Sequence, residues 1–467
     1  MNTVNLKVNS KTILADIITP VSVYMKIRDY FPFSMLLESS DYHSNHNSNS
    51  VICMKPIANY IVKDNKITMD FNEQVTFTKS IEKREDPLSY LKEFAKSFTI
   101  TNTEKPPIDG IFGYNSYDAI KYFEDIKLTK SPGDDEYIPD MRYSFYKYIL
   151  FINHYRNELQ LIEFVQDDEV SEIDQILNLL NNRNISMYDF TLRGEESSNM
   201  TDEQFKSIVS KGKEHCFRGD VFQIVLSRQF KQMFAGDDFN VYRALRSINP
   251  SPYLFYFDYG NYKLFGSSPE TQIEVKEGRA YINPIAGTFR RTGNDEQDRI
   301  LAEELSKDPK ENAEHIMLVD LARNDLSRTT DDVTVEKYRE IQFYSHVLHM
   351  VSKVSGKIKE KVNSLDIMAE SFPAGTLSGA PKFKAMEIID HLENKARGFY
   401  GGSIGFIRFN GDINQAIMIR SFLSKDNTLY YQAGAGVVSR SVEENELNEV
   451  NNKLAALKRA INLAAQM

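Results

Sequence analysis

Helix-start signals and buried-strand runs alternate along the second half of this chain, and that alternation sets its fold class. Thr201 and Gln204 stand three apart, ahead of Phe205, Ile208 and Val209, the pattern in which two side chains satisfy the first backbone donors of a helix. Asp308-Pro309-Lys310-Glu311 repeats the signal, with Pro309 suited to the first helical position. That helix should run through Glu314, His315 and Met317 toward Leu321. Ser441 and Glu444 form a third box, ahead of Leu447, Val450, Leu454, Leu457 and Ile461 at helical spacing, a core-facing stripe. Between these starts lie runs such as Val221-Phe-Gln-Ile-Val-Leu226, nearly all apolar and partly β-branched, which read as buried strand with one polar member, Gln223. Alternating elements with hairpin-like spacing predict an α+β fold, with large antiparallel sheets packed as a sandwich, helices outside, and the N-terminal region interleaved with the second region. No dinucleotide fingerprint or P-loop is present, so nucleotide binding has no support.

Two regions are expected, 1–193 and 194–467, parted by the polar run Gly194-Glu-Glu-Ser-Ser-Asn199. The first is rich in Tyr, Phe and Ile and carries strand-like runs such as Tyr148-Ile-Leu-Phe-Ile152. Within it, Ser39 to Ser50 is almost wholly polar and reads as a mobile loop. His43 and His46 lie there, with no third metal ligand near, and read as solvated loop residues. With 467 residues, 41% of them hydrophobic, the chain can bury a substantial core. Its net charge of -10 argues against a nucleic-acid binder, which needs a basic face. The same charge means that any anionic ligand must be drawn in by local cations. Cys53 and Cys216 are far apart and form no C-x-x-C, which speaks against a disulfide framework or structural zinc and for a reducing, cytoplasmic setting. Met1 to Asp16 has no signal-peptide core, and no apolar run approaches the roughly 20 residues of a membrane helix.

Several residue groups could carry chemistry. Glu311 and Glu314 form one E-x-x-E pair, Glu446 and Glu449 another, and spacing of three puts each pair on one helix face. Brought together, the two faces would make an oxygen-rich cage suited to Mg²⁺. Each pair alone is equally what a capped helix start or a solvated face would show. Three glycine-rich segments, Pro284-Ile-Ala-Gly-Thr288, Gly375-Thr-Leu-Ser-Gly-Ala-Pro-Lys382 and Gln432-Ala-Gly-Ala-Gly-Val437, read as turns that could bring backbone N–H groups close to a small polyanion. Arg420 ends the apolar run Ala416-Ile-Met-Ile-Arg-Ser421 and should meet a carboxylate, from the protein or from a substrate. His349 sits in an apolar context, where it is either a core histidine held by a carbonyl or a proton-transfer group.

In order along the second region, Gly266-Ser-Ser-Pro-Glu270, Pro284 to Thr288, Glu311 to Asp325, Gly375 to Lys382, Arg397-Gly-Phe-Tyr-Gly-Gly402 and Gln432 to Val437 resemble the chorismate-utilising enzyme family. Within it the chain looks like the anthranilate-synthase branch. Members that add water carry lysine where Gln223 stands, and a glutamine can only position a nucleophile, which suits ammonia. The neighbouring aminodeoxychorismate synthases, the alternative reading, usually have a lysine nucleophile in place of Ala286. Thr376–Ser378 and Ser345–Val351 also look like the anthranilate-forming branch. In the first region, Leu36-Leu-Glu38-Ser39 resembles the family's feedback element, which binds tryptophan together with the segment matching Pro252-Tyr253-Leu254, and Gly113-Tyr-Asn-Ser-Tyr-Asp118 is family-like too. The loop after Ser39 is small and polar where relatives often place a basic residue, a departure from the family's feedback element.

The resemblance implies a mechanism. Mg²⁺ on Glu314 and Glu449, with Glu311 and Glu446 close by, should grip the ring carboxylate of chorismate. Glu270 should protonate the departing hydroxyl, Gln223 should orient ammonia, and His349 should move the proton lost with pyruvate. Arg420 and Tyr400 should hold the enolpyruvyl carboxylate, with Thr376 in the same pocket. Thr288 and the amides of Gly287, Gly434, Ala435 and Gly436 should hold substrate oxygens. Neither cysteine lies in a nucleophile turn, so ammonia should come from a separate glutamine amidotransferase subunit. A catalytically silent tryptophan-sensing subunit is the alternative from another class.

Overall fold

The computed structural model describes residues 3–39, 48–72, 74–101, 105–166, 169–181, 185–343 and 347–467. Of the loop expected over Ser39 to Ser50, residues 40–47, with His43 and His46, fall outside them, as does Ser345; Ser39, Asn49 and Ser50 are strand.

The architecture is α+β, built on one large, continuous antiparallel sheet that folds over on itself, with a short parallel pairing of Val4–Leu14 and Phe98–Ile100 beside it. In the strand Tyr253–Asp258, Leu254 and Tyr256 face one core while Phe255 and Phe257 face another. The period-2 alternation of a strand apolar on both faces puts that part of the sheet in the middle of the molecule. One face packs against Asp202–Arg218, Phe239–Ile248 and Glu443–Ala464, the helices whose apolar stripes supply Phe205, Leu245 and Leu454 to the same core. The other face packs against the far part of the same sheet, which supplies Ile111, Tyr143 and Ile404. The sandwich with outer helices is therefore present.

The two regions of sequence interleave in one sheet, as expected. The early strand Met35–Ser39 pairs with Tyr253–Asp258, and Ile111–Asn115 pairs with Ser403–Ile407. Gly194 to Asn199, expected as a polar break, is largely strand: Phe190–Ser198 pairs with Gln223–Gly236 through a bulge. Its side chains are polar because that edge faces solvent.

Two of the three expected helix starts form as read. The Thr201–Gln204 capping box is closed in both directions. The Asp308 carboxylate accepts the Glu311 N–H at 3.0 Å, at the start of Pro309–Ser327. The third does not form: the last helix begins at Glu443 behind Val442, which has no capping atom. The Ser441 hydroxyl is engaged instead by the Val438 N–H, closing the turn before the helix. Two of the expected glycine turns are also corrected. Ile285–Arg290 and Thr428–Val437 are strands that contain their glycines. The glycines of Thr428–Val437 are there because neighbours press on the strand. A Cβ on Gly436 would lie 2.4 Å from Gln223 Nε2, and one on Gly434 3.1 Å from the Tyr400 hydroxyl.

Candidate active site

Glu270 follows the strand Tyr262–Ser268, and its carbonyl is fixed by the Ile417 N–H at 3.0 Å. Its side chain lines a pocket, and desolvation there pushes the carboxyl up to about 7. Thr376, on the single turn Gly375–Ser378, donates its hydroxyl to Glu270 Oε1 at 2.8 Å. That bond, together with the charges of Lys453 and Arg420, pulls the other way.

Arg420 lies between Ile413–Ile417 and Ser421–Lys425 with φ of 49°, a left-handed conformation that turns the chain between the strands. No ion pair of Arg420 occurs among the described residues. Burial lowers its pKa and Glu270 alone opposes this, so the arginine is a cation held ready for an anion. His349 sits on Val347–Ile358, backbone-paired with Thr288. Its Nδ1 is 3.3 Å from the Gly287 carbonyl. Donation there leaves Nε2 with its lone pair. Burial and the Arg420 charge push His349 down to about 4, against the Gly287 bond, so it is a neutral base. The Thr288 side chain lies outside the described atoms.

Gln223 opens its strand, 7% exposed, paired with Ala380. Its amide nitrogen occupies the space left by Gly436. Tyr400 is equally buried, and burial raises its pKa while Arg397 and a bond from the Gly434 N–H restrain the rise. The positions 434–436 are backbone-paired with Ser227, Leu226 and Val225. Ala286 is buried opposite Met350 and offers no nucleophile.

The acidic pairs border this region from two helices. Gly287 has a positive φ of 69°, and a Cβ there would meet Glu311 Oε2 at 3.0 Å. Glu449 pairs with Lys453 at 2.7 Å, and Lys453 also donates to the Gly434 carbonyl at 2.9 Å. Glu446 is buried. In donor chemistry the four carboxylates fit a hard divalent cation. Their arrangement is open: among the described residues no three His, Cys, Asp or Glu side chains stand close enough to hold a metal.

The feedback-like residues come together. Ser39 pairs with Tyr253 and Glu38 with Leu254. With Pro252 they line a cavity of about 890 Å³. Glu38 is gripped by the Arg246 fork and by the Tyr242 hydroxyl at 2.6 Å. The hydroxyls of Tyr253 and Thr271 are 2.6 Å apart, so the cavity touches the residue next to Glu270.

Several supporting residues escaped sequence reasoning. Arg397 is buried against Glu393 at 2.7 Å and also donates to the Leu377 and Val225 carbonyls, tying the Thr376 turn to the Gln223 strand. Lys382 meets Asp325 at 2.8 Å across 57 positions. Lys453 lies one turn beyond Glu449, and only that spacing could have flagged it.

An acid near neutrality, a neutral histidine and an arginine with no ion pair among the described residues meet in this site. The model of the chorismate binding enzymes matches residues 35–459, and the chain belongs to that family. Among its relatives, anthranilate synthase component 1 of Aquifex aeolicus (strain VF5) is 38% identical, covering 97% of this chain and 94% of that protein. The Acetivibrio thermocellus protein of the same name is 36% identical, covering 97% and 95%. The crystal structure of anthranilate synthase component I from Streptococcus pneumoniae TIGR4 superposes with a TM-score of 0.78 at 31% identity, covering 96% of this chain and all of that one. The menaquinone-specific isochorismate synthase of Escherichia coli, 17% identical with a TM-score of 0.75 over 98% of this chain and 95% of that one, shares the fold.

Proposed function

We propose that this chain is the chorismate-converting component of an anthranilate synthase, forming anthranilate and pyruvate from chorismate and ammonia. The observation that carries the mechanism is the environment of Glu270: its side chain meets Thr376 at 2.8 Å, and burial, against that bond, pushes its carboxyl up to about 7.

In the first step ammonia forms a bond at C2, the ring double bonds shift, and the C4–O bond breaks. Glu270 gives its proton to that oxygen, which leaves as water. Gln223, braced against Gly436, holds the nucleophile by hydrogen bonds without deprotonating it. In the second step the C2 proton goes to His349 Nε2 while the enolpyruvyl C–O bond breaks and the ring becomes aromatic. Arg420 and Tyr400 hold the carboxylate of the departing group. The local cations Arg420 and Lys453 overcome the repulsive field of an acidic protein. Ala286 disfavours the aminodeoxychorismate reading, since no side-chain amine can attack the ring there.

Mg²⁺, held by Glu314 and Glu449 with Glu311 and Glu446 near, would polarise the ring carboxylate as a Lewis acid. Ammonia is supplied by a separate glutamine amidotransferase. Tryptophan binds the cavity lined by Glu38, Ser39, Pro252, Tyr253 and Leu254 and inhibits. We place the reaction in the cytoplasm, where two unpaired cysteines persist. No described helix is long and apolar enough to cross a membrane.

The test is anthranilate fluorescence from the purified chain with chorismate, Mg²⁺ and an ammonium salt at alkaline pH, repeated with EDTA. A fluorescent product that needs metal supports the reading. Chorismate consumed without anthranilate would favour aminodeoxychorismate. Untouched chorismate with retained tryptophan binding would favour the silent sensing subunit.

A further inference from the structure

A small cavity of about 30 Å³ lies against Glu270, bounded also by Thr376, Gln272, Ser371, Leu321 and Asp325. One water needs roughly 10–15 Å³ of such space and two to four polar partners. The cavity offers those partners. Gln272 is 3% exposed, and its Nε2 donates to the Ser371 hydroxyl at 2.9 Å. Its Oε1 is buried with no hydrogen-bond partner among the described residues, a cost of about 1–3 kcal/mol unless a donor fills it. Asp325, which also lines the cavity, pairs with Lys382, and Lys382 donates to the Ser371 carbonyl at 3.1 Å. Their side chains are 13% and 14% exposed, so this end reaches solvent.

We propose that this cavity holds a water that returns a proton to Glu270 from the Asp325–Lys382 pair after each turnover. The proposal rests on Glu270 as the acid that releases the hydroxyl. Once its proton has left with that oxygen, Glu270 is a buried carboxylate, and the substrate side of the site is occupied by intermediate. The cavity gives a second approach. The water's O–H bond breaks as its proton passes to a Glu270 oxygen, and the water oxygen takes a proton from the acid form of Asp325. Asp325, now anionic, is balanced by the Lys382 ammonium until it takes a proton from solvent. One proton enters from solvent per cycle. One leaves when the new ammonium group on the ring becomes an amine.

Enzyme in excess over chorismate reads the first turnover, with Glu270 loaded beforehand at pH 6. Excess substrate reads the repeated cycle. Asp325→Asn and Gln272→Leu should leave the first turnover within about twofold of the parent. The repeated rate should fall by about tenfold or more, and small acids such as imidazolium should restore it. Gln272→Leu keeps the Asp325–Lys382 pair, so the inference survives a folding defect in Asp325→Asn. Equal slowing of both rates, no slowing, or slowing without rescue would overturn it. Glu270→Gln separates the two readings: if its first turnover matches the parent, the role of Glu270 fails rather than the return path.

Discussion

Replacing Thr376 by valine should move the alkaline limb of activity upward. Glu270 works as an acid, so activity is lost as pH rises through its pKa, near 7. Thr376 donates to Glu270 at 2.8 Å, a bond that favours the carboxylate. A hydrogen bond to a charged group contributes about 1.5–3 kcal/mol, and one pH unit corresponds to about 1.4 kcal/mol. Removing the hydroxyl while keeping the side-chain volume should therefore carry the limb up by about one to two pH units. The assay is kcat/KM for chorismate against pH at constant free ammonia, since ammonium itself titrates in this range. The ratio of variant to parent cancels what remains. A lower plateau is compatible with the account, because Thr376 also lines the pocket. A limb that stays in place or moves down would refute it. Stability gives a companion test. The rise of Glu270 from 4.5 to about 7 means that the native state holds its proton more tightly than the unfolded chain. That stability is present below pH 4.5 and is lost as pH rises through 7, at most about 3 kcal/mol. Glu270→Gln should thus be inactive yet more stable than the parent at pH 8.

Three further outcomes follow from the same contacts. Gly436→Ala places a methyl group 2.4 Å from Gln223 Nε2; ammonia-dependent turnover should fall by about tenfold or more with little change in Tm. Arg397→Met leaves Glu393, 4% exposed, as an uncompensated buried charge, and thermal unfolding should show a loss of about 3–5 kcal/mol. Tyr253→Phe removes the bond to Thr271 but not the cavity wall. By calorimetry the variant should still bind tryptophan, while the tryptophan concentration needed for half inhibition rises several-fold. Unchanged inhibition would mean that the coupling runs elsewhere.

Local rules made the two capping signals at Thr201 and Asp308 legible, because a cap is decided within four residues. The stripe of the last helix was legible for the same reason. Ser441 was misread because its hydroxyl had two local partners to choose from, and the preceding turn took it. The strands at Pro284 and Gln432 were misread as turns because glycine permits both. What demands glycine at 434 and 436 is a group distant in sequence in each case, the Leu226 carbonyl with the Tyr400 hydroxyl behind it, and the Gln223 amide. The site residues were named through motif resemblance, but the reasons they act were not in the motifs. No spacing says that Thr376 meets Glu270 across 106 positions, or that Arg397 ties the Thr376 turn to the Gln223 strand. Those contacts exist because the sheet is assembled from strands distant in sequence.

The most direct test of the account is turnover of chorismate with ¹⁵N-ammonium, followed by NMR of the products. The account predicts ¹⁵N on an aromatic ring carbon next to the one bearing the carboxylate, with one pyruvate formed per label incorporated. Label at C4 of an unaromatised ring, with the enolpyruvyl group retained, would contradict it.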